Sequence, residues 1–443
     1  MRGPVRWAAV GAIALAVTAA AVFGPPRDGP ELRTSAGVSL VGALAPTALL
    51  GGSGPGDRIA ALQAYLRARP DDPRALASLG IAYVQQARST ADPSFYGKAE
   101  VALRRALATD PGSYDATLGL GALALARHDF AAALRLGRAA AAINPDDEDP
   151  WGVIGDALLE LGRYRAASRA FQRMVDTRPG AAAYARISYA RELTGDVPGA
   201  IRAMRMALDA AGTPQDAAWT ATQLGDLYWN RGGLRRAARA YRQALTLLPG
   251  YPPGARRAGA GGVGAGGCAP RDPRAVRRRA PLPLPEYVVA LGDLAWVSGR
   301  RRMAREQYRL ARAEHRLFRG SGVNIDLELA LFDADHGAPG RALAAARAEW
   351  RRRRSVHVAD ALSWALYRNG RPRAAARYAR LALRLGTPNP LFLYHAGMIR
   401  LALGDRSGAR RYLSEALGLN PWFSFLHAAE AQRALARLGG SSG

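Results

Sequence analysis

Three carboxylates in this chain share one short setting. Asp156, Asp226 and Asp293 each close an (I/L)-G-D triplet, and Trp229 and Trp296 lie one turn beyond two of them. Carboxylates and aromatics that recur in phase suit molecular recognition, the one supplying charge and the other buried contact area. The competing reading gives the rings to the core and leaves the aspartates as caps or solvated groups. Bond-making chemistry is harder to find. The histidines (His128, His315, His336, His357, His395 and His427) form no HExxH or other ligand spacing. The D-A-D-H at 333–336 could suggest a metal, but it falls at a turn between helices, where polar residues are expected. Gly259, Gly261 and Gly264 match GxGxxG without the strand before and helix after that would bring a pyrophosphate to a helix N-terminus. GxxxxGK[ST], GxSxG and a catalytic Cys–His pairing are missing. A single cysteine, Cys268, permits no intramolecular disulfide. The sequence therefore argues for no enzyme, no metal and no cofactor.

With 443 residues, 49% of them hydrophobic, the chain can bury a sizeable core. Its net charge of +26 would ordinarily point to nucleic acid, an anionic membrane or an acidic polymer. Lys98, however, is the sole lysine among 62 basic residues, and Ala, Gly, Arg and Pro dominate throughout. That is the imprint of a GC-rich genome. No zinc-finger spacing or RNP-type motif is present, so no specific nucleic-acid partner is expected. Arg351–Arg354 reads as a solvated helix end suited to the helix dipole, with an anion-binding patch as the alternative.

Arg2 and Arg6 precede 17 uncharged residues, Trp7 to Phe23, and Gly24-Pro25-Pro26 ends the run. This pattern predicts a secretory signal at the short limit for a membrane span, and leaves cleavage and retention as an anchor both open. Either way the rest of the chain is expected outside the cytoplasm, membrane-anchored or secreted. Residues 24–56 are rich in Gly, Pro, Ala and Ser and read as a flexible linker.

From Asp57 onward a period emerges. Pro111, Pro145 and Pro179 stand 34 residues apart, each closing an amphipathic stretch: RRALATDP, GRAAAAINP and FQRMVDTRP. Leu79-Gly80, Leu120-Gly121, Ile154-Gly155, Leu224-Gly225 and Leu291-Gly292 mark the first helix of a unit, and Ala99, Ala133, Ala167, Ala237 and Ala304 mark the second. Small residues at these places let two helices approach closely. Nine such units are readable, so the fold class expected is all-α, an α–α solenoid. The boundaries follow: a lone helix at 57–69 opens an N-terminal array over 57–253, and a C-terminal array with a capping helix spans 284–438. Between Pro249 and Pro283 the spacing of one unit survives while the helical pattern is lost. Residues 254–283 read as a repeat disrupted by a frameshift, disordered as written, that should uncouple the two arrays.

These units resemble the tetratricopeptide repeat: leucine then a small residue in the first helix, alanine and an aromatic in the second, proline at its end. LGDLYWNRGGLRRAARAYRQALTLLP at 224–249 is close to that pattern throughout. The nearest likeness is to the exported or membrane-anchored members found in high-GC bacteria. The resemblance implies a right-handed superhelix whose first helices line a concave groove. It also implies a non-catalytic role, holding partner proteins or peptides there. In the family's register the groove set is Asp156, Tyr189, Asp226, Trp229, Asp293, Trp296, Asp360, Trp364 and Tyr367. Arginines crowd the second helices instead, at Arg202, Arg205, Arg235, Arg236, Arg239, Arg377 and Arg380. That face offers the alternative function, contact with anionic membrane or envelope polymer.

Overall fold

The computed structural model describes residues 55–249, 251 and 285–439. The signal segment, nearly all of the linker and the interval at 254–283 lie outside the described residues. Among the described residues are twenty α-helices and no strand. A lone helix, α1 (Pro55–Ala68), leads into five helix pairs. They are α2 (Pro73–Thr90) with α3 (Phe95–Thr109), α4 (Tyr114–Ala126) with α5 (Phe130–Ile143), α6 (Asp149–Glu160) with α7 (Tyr164–Thr177), α8 (Ala181–Leu193) with α9 (Val197–Asp209), and α10 (Pro214–Asn230) with α11 (Leu234–Leu247). Four more pairs follow: α12 (Pro285–Val297) with α13 (Arg301–Gly320), α14 (Asp326–Asp335) with α15 (Pro339–Arg352), α16 (Val356–Arg368) with α17 (Pro372–Ala382), and α18 (Pro390–Ala402) with α19 (Arg406–Leu419). The last helix, α20 (Ala428–Gly439), packs against α19. The fold is an α–α solenoid. No helix among the described residues is long and apolar enough to cross a membrane.

Local chemistry sets the helix ends. Asp72, Ser113, Asp129, Asp196, Thr213, Ser355, Asn389 and Asp405 cap helix N-termini through side-chain oxygens, filling donors that the first turn leaves unpaired. Within each pair, alanine decides how closely the helices approach. Ala99, Ala133, Ala167, Ala237 and Ala304 are all buried. The glycine of the triplet receives a ring from the second helix: a Cβ at Gly155 would overlap Phe171, and one at Gly225 would overlap Tyr241.

The two arrays meet side by side. At Asn324 the backbone N–H donates to Arg127 O at 2.9 Å, and its carbonyl oxygen lies 2.7 Å from His128 Nδ1. One unit further on, Val356 N–H donates to Tyr164 Oη at 2.8 Å. Next, Thr387 Oγ1 donates to Leu193 O at 2.6 Å, and finally Asn420 Nδ2 donates to Trp229 O at 2.9 Å. Each contact joins the region where a first helix of the N-terminal array gives way to its second to the start of a helix, or the loop ahead of one, in the C-terminal array. Apolar residues cross with them: Val356, Ala359, Ala382 and Phe392 share a core with residues of α4 to α8. This seam joins the described residues of the two arrays laterally, and the uncoupling expected of residues 254–283 falls on an interval outside the described residues.

In the arginine run Arg351, Arg352 and Arg354 are exposed, as the solvated reading expects, but Arg353 departs from it at the same seam. Arg353 is buried between Glu349 and Glu160, forms ion pairs with both, and stands 4.6 Å from the Phe130 ring centroid. Arg352 pairs with Asp326 and with Glu349. Burial works against the charge on Arg353, but Glu160 and Glu349 outweigh it and hold the guanidinium more firmly protonated.

Candidate ligand site between the arrays

The described pocket nearest the expected groove lies at this junction. Its wall takes Tyr189 and Glu192 from α8, Trp229 and Asn230 from α10, His357 and Asp360 from α16, and Leu391 and Phe392 from α18. Every helix contributing to it is the first of its pair. About 70 Å³ is open inside, room for a few waters or the head of one side chain.

Three residues of the expected groove set, Tyr189, Trp229 and Asp360, meet at this cavity. The others lie elsewhere, and most are held by partners within the chain. Asp156 is buried and takes a two-pronged contact from Arg186 on α8, at 2.9–3.1 Å. Asp226 accepts from Tyr241 Oη at 2.8 Å, and Asp293 from Tyr308 Oη at 2.9 Å. Asp293 also lies 2.8 Å from His336 Nε2. Two of the three G-D triplets thus have a structural reason: Gly225 and Gly292 admit the rings of Tyr241 and Tyr308, and Asp226 and Asp293 receive their hydroxyls, whereas Gly155 admits Phe171, which has no hydroxyl, and Asp156 is held by Arg186. Trp229 is 4% exposed and Trp364 only 1%, whereas Trp296 is 42% exposed with the Arg301 guanidinium 3.6 Å from its ring centroid.

Asp360 and Trp364 enter a second buried cluster beside the cavity. His395 Nδ1 lies 3.0 Å from both oxygens of Asp360. Trp364 is stacked between His395 and Tyr367, with centroids 4.1 and 4.9 Å away, and its Nε1 donates to Asp335 at 2.8 Å. Asp335 also sits 3.1 Å from His427 Nε2. Burial would lower the His427 pKa, but the Asp335 charge prevails and lifts it to about 9. The D-A-D-H residues therefore point to separate partners: Asp333 to Arg341, Asp335 to His427 and Trp364, and His336 to Asp293.

Glu192 and His357 were not among the expected site residues. Their signal was present in the spacing: Glu192 lies three residues after Tyr189 and His357 three before Asp360, a same-face separation on a helix. Burial pushes the Glu192 carboxyl up to about 7, Asp226 adds to the rise, and the hydrogen bond from Asn230 Nδ2 at 3.1 Å opposes it. Burial likewise pushes the His357 imidazole down to about 4, with Arg353 adding to the effect, so the ring is neutral near pH 7.

Tetratricopeptide-repeat family models match residues 124–188, and also 85–148 and 361–421. Those stretches are tetratricopeptide repeats. A peroxisomal targeting signal receptor of Eremothecium gossypii is 38% identical over 65 residues, 15% of this chain. The aligned part of this chain spans 11% of that receptor's length. Among solved structures, a thermophilic TPR protein of Thermus thermophilus matches at 22% identity and a TM-score of 0.38, over 42% of this chain and 98% of its own. The Cut9–Hcn1 hetero-tetramer of the APC/C matches at 12% identity and a TM-score of 0.37, over 87% of this chain and 93% of its own. At those values the structural likeness carries no functional argument. Repeats of this family serve in general as scaffolds that bind other proteins.

Proposed function

We propose that the chain is a non-catalytic scaffold that binds a partner protein or peptide along its first helices, at the cavity between the arrays. The observation that carries this reading is convergence: Tyr189, Trp229 and Asp360, from three repeats in two arrays, wall one pocket. The site has an aromatic wall, a carboxylate that titrates near neutrality, and amide side chains for a peptide backbone. Export, read from residues 1–23, is part of this proposal and would place the scaffold outside the cytoplasm. A library of random short peptides selected on the full chain tests it. Selected peptides should lose binding to Leu391→Trp, which fills the pocket, while circular dichroism shows the helices intact. Peptides that bind this variant as well as the parent, or a selection that yields none, would overturn the reading.

The second reading, contact with anionic membrane or envelope polymer, draws on the second helices. Arg202, Arg205, Arg235, Arg236, Arg239, Arg377 and Arg380 are all exposed. Binding of that kind falls steeply with added salt, whereas peptide binding in a partly enclosed pocket depends on it far less.

A further inference from the structure

We propose that the cavity receives one basic side chain, a guanidinium or ammonium head, with Glu192 as its counter-ion. This rests on the reading of the cavity as the partner site and names the chemistry that the partner presents there.

The argument starts from charge. The chain carries +26, yet the cavity wall holds two carboxylates, Glu192 and Asp360, and no lysine or arginine. Asp360 is committed to His395 Nδ1. Glu192 is bound through Oε1 to the neutral amide of Asn230, and among the described residues no cation pairs with it. Several buried carboxylates elsewhere do have such partners: Asp156 has Arg186, and Glu160 and Glu349 have Arg353, while Asp226 is held by the Tyr241 hydroxyl. Glu192 is half-buried, and a carboxylate enclosed to that degree without a cation is costly to ionise, a cost that its raised pKa expresses. An incoming cation removes it, while an incoming anion would add to it.

The surroundings fit the same ligand. Trp229, Tyr189 and Phe392 line the same cavity, and aromatic rings attract a desolvated cation. The other titratable groups around Glu192 do not compete between pH 6 and 8. Burial holds the Tyr189 phenol well above its ordinary range, His357 is neutral, and Asp226 is occupied by Tyr241.

The test uses the full chain, with Nα-acetyl-argininamide as probe and Nα-acetyl-citrullinamide as its neutral isostere, measured by titration calorimetry. Saturable binding of the arginine compound is expected, with the citrulline compound at least about tenfold weaker, the loss of one desolvated charge pair. The arginine compound should bind about tenfold tighter at pH 8 than at pH 6, the change in ionised fraction of a group that titrates near 7. Glu192→Gln keeps the shape and the amide contact and should abolish binding and its pH dependence together. Equal binding of the two compounds, binding unaffected by Glu192→Gln, or no saturable binding of the arginine compound would overturn the proposal. Selected peptides that lack a basic residue, and that Leu391→Trp blocks but Glu192→Gln does not, would sink the cation subsite and leave the partner site standing. Binding of the arginine compound with no peptide selected would do the reverse.

Discussion

Both arrays turn from first to second helix through a left-handed residue, but the two sets of turns meet different surroundings. In the N-terminal array Gly162, Gly195 and Gly232 have φ of +79°, +85° and +66°. Each also lies against the backbone of the other array. A Cβ on Gly195 would stand 2.9 Å from Gly386 O, one on Gly232 the same distance from Leu419 O, and one on Gly162 would overlap Arg354. In the C-terminal array Gly337, Gly370 and Gly404 have the same conformation, at +85°, +69° and +79°, and open space around them. One local rule therefore serves two ends: in one array glycine satisfies the turn alone, and in the other it also lets the seam close.

The largest expected effect falls on the charge at the seam. Arg353→Met leaves Glu160 and Glu349 buried with one partner fewer and should destabilise the chain by about 3–5 kcal/mol in urea unfolding. Arg341→Met removes an exposed cation, paired with Asp333 in the C-terminal array, and should lower stability far less than Arg353→Met does. Similar losses for the two would break the distinction between seam and surface.

The C-terminal array has its own lock, which pH should expose. His427 ties the segment ahead of α20 to Asp335 on α14. Its folded pKa, about 9, lies above the unfolded 6.5, so its contribution is fully present below pH 6.5 and is lost as pH rises through 9. A loss on the order of 2–3 kcal/mol is expected across that window. It should vanish in His427→Gln. A flat stability profile from pH 6.5 to 9 in the parent would remove the lock.

The smallest effect separates the glycines themselves. Gly195→Ala and Gly370→Ala should each lose about 1–2 kcal/mol from a left-handed alanine. Gly195→Ala should lose about 1–2 kcal/mol more, because its methyl must displace backbone of the other array. Equal losses would mean that the seam yields to a methyl group.

The repeats were legible because helix packing imposes a period on side chains: the alanines expected at the second helices are buried, and the expected leucine–glycine positions lie in the first. The role of the aspartates was legible in principle, since Tyr241 and Tyr308 follow Asp226 and Asp293 by the same interval. The seam was not. It joins residues more than 180 positions apart and often uses backbone oxygens, such as Leu193 O and Trp229 O, which every residue possesses. The cavity was half legible: Tyr189, Trp229 and Asp360 carry the aromatic and acidic types that mark a groove, but only docking of the arrays makes them neighbours. Glu192 gains its altered acidity from that same enclosure.

The docked seam is tested most directly by a double-mutant cycle between Glu160 and Arg353, which are 193 positions apart in sequence. Glu160→Gln, Arg353→Met and the double variant would be unfolded in urea beside the parent. Direct pairing predicts that the double variant is less destabilised than the sum of the singles, with a coupling of about 1–3 kcal/mol. Losses that add to within about 0.5 kcal/mol would contradict it and leave the two arrays undocked at this point.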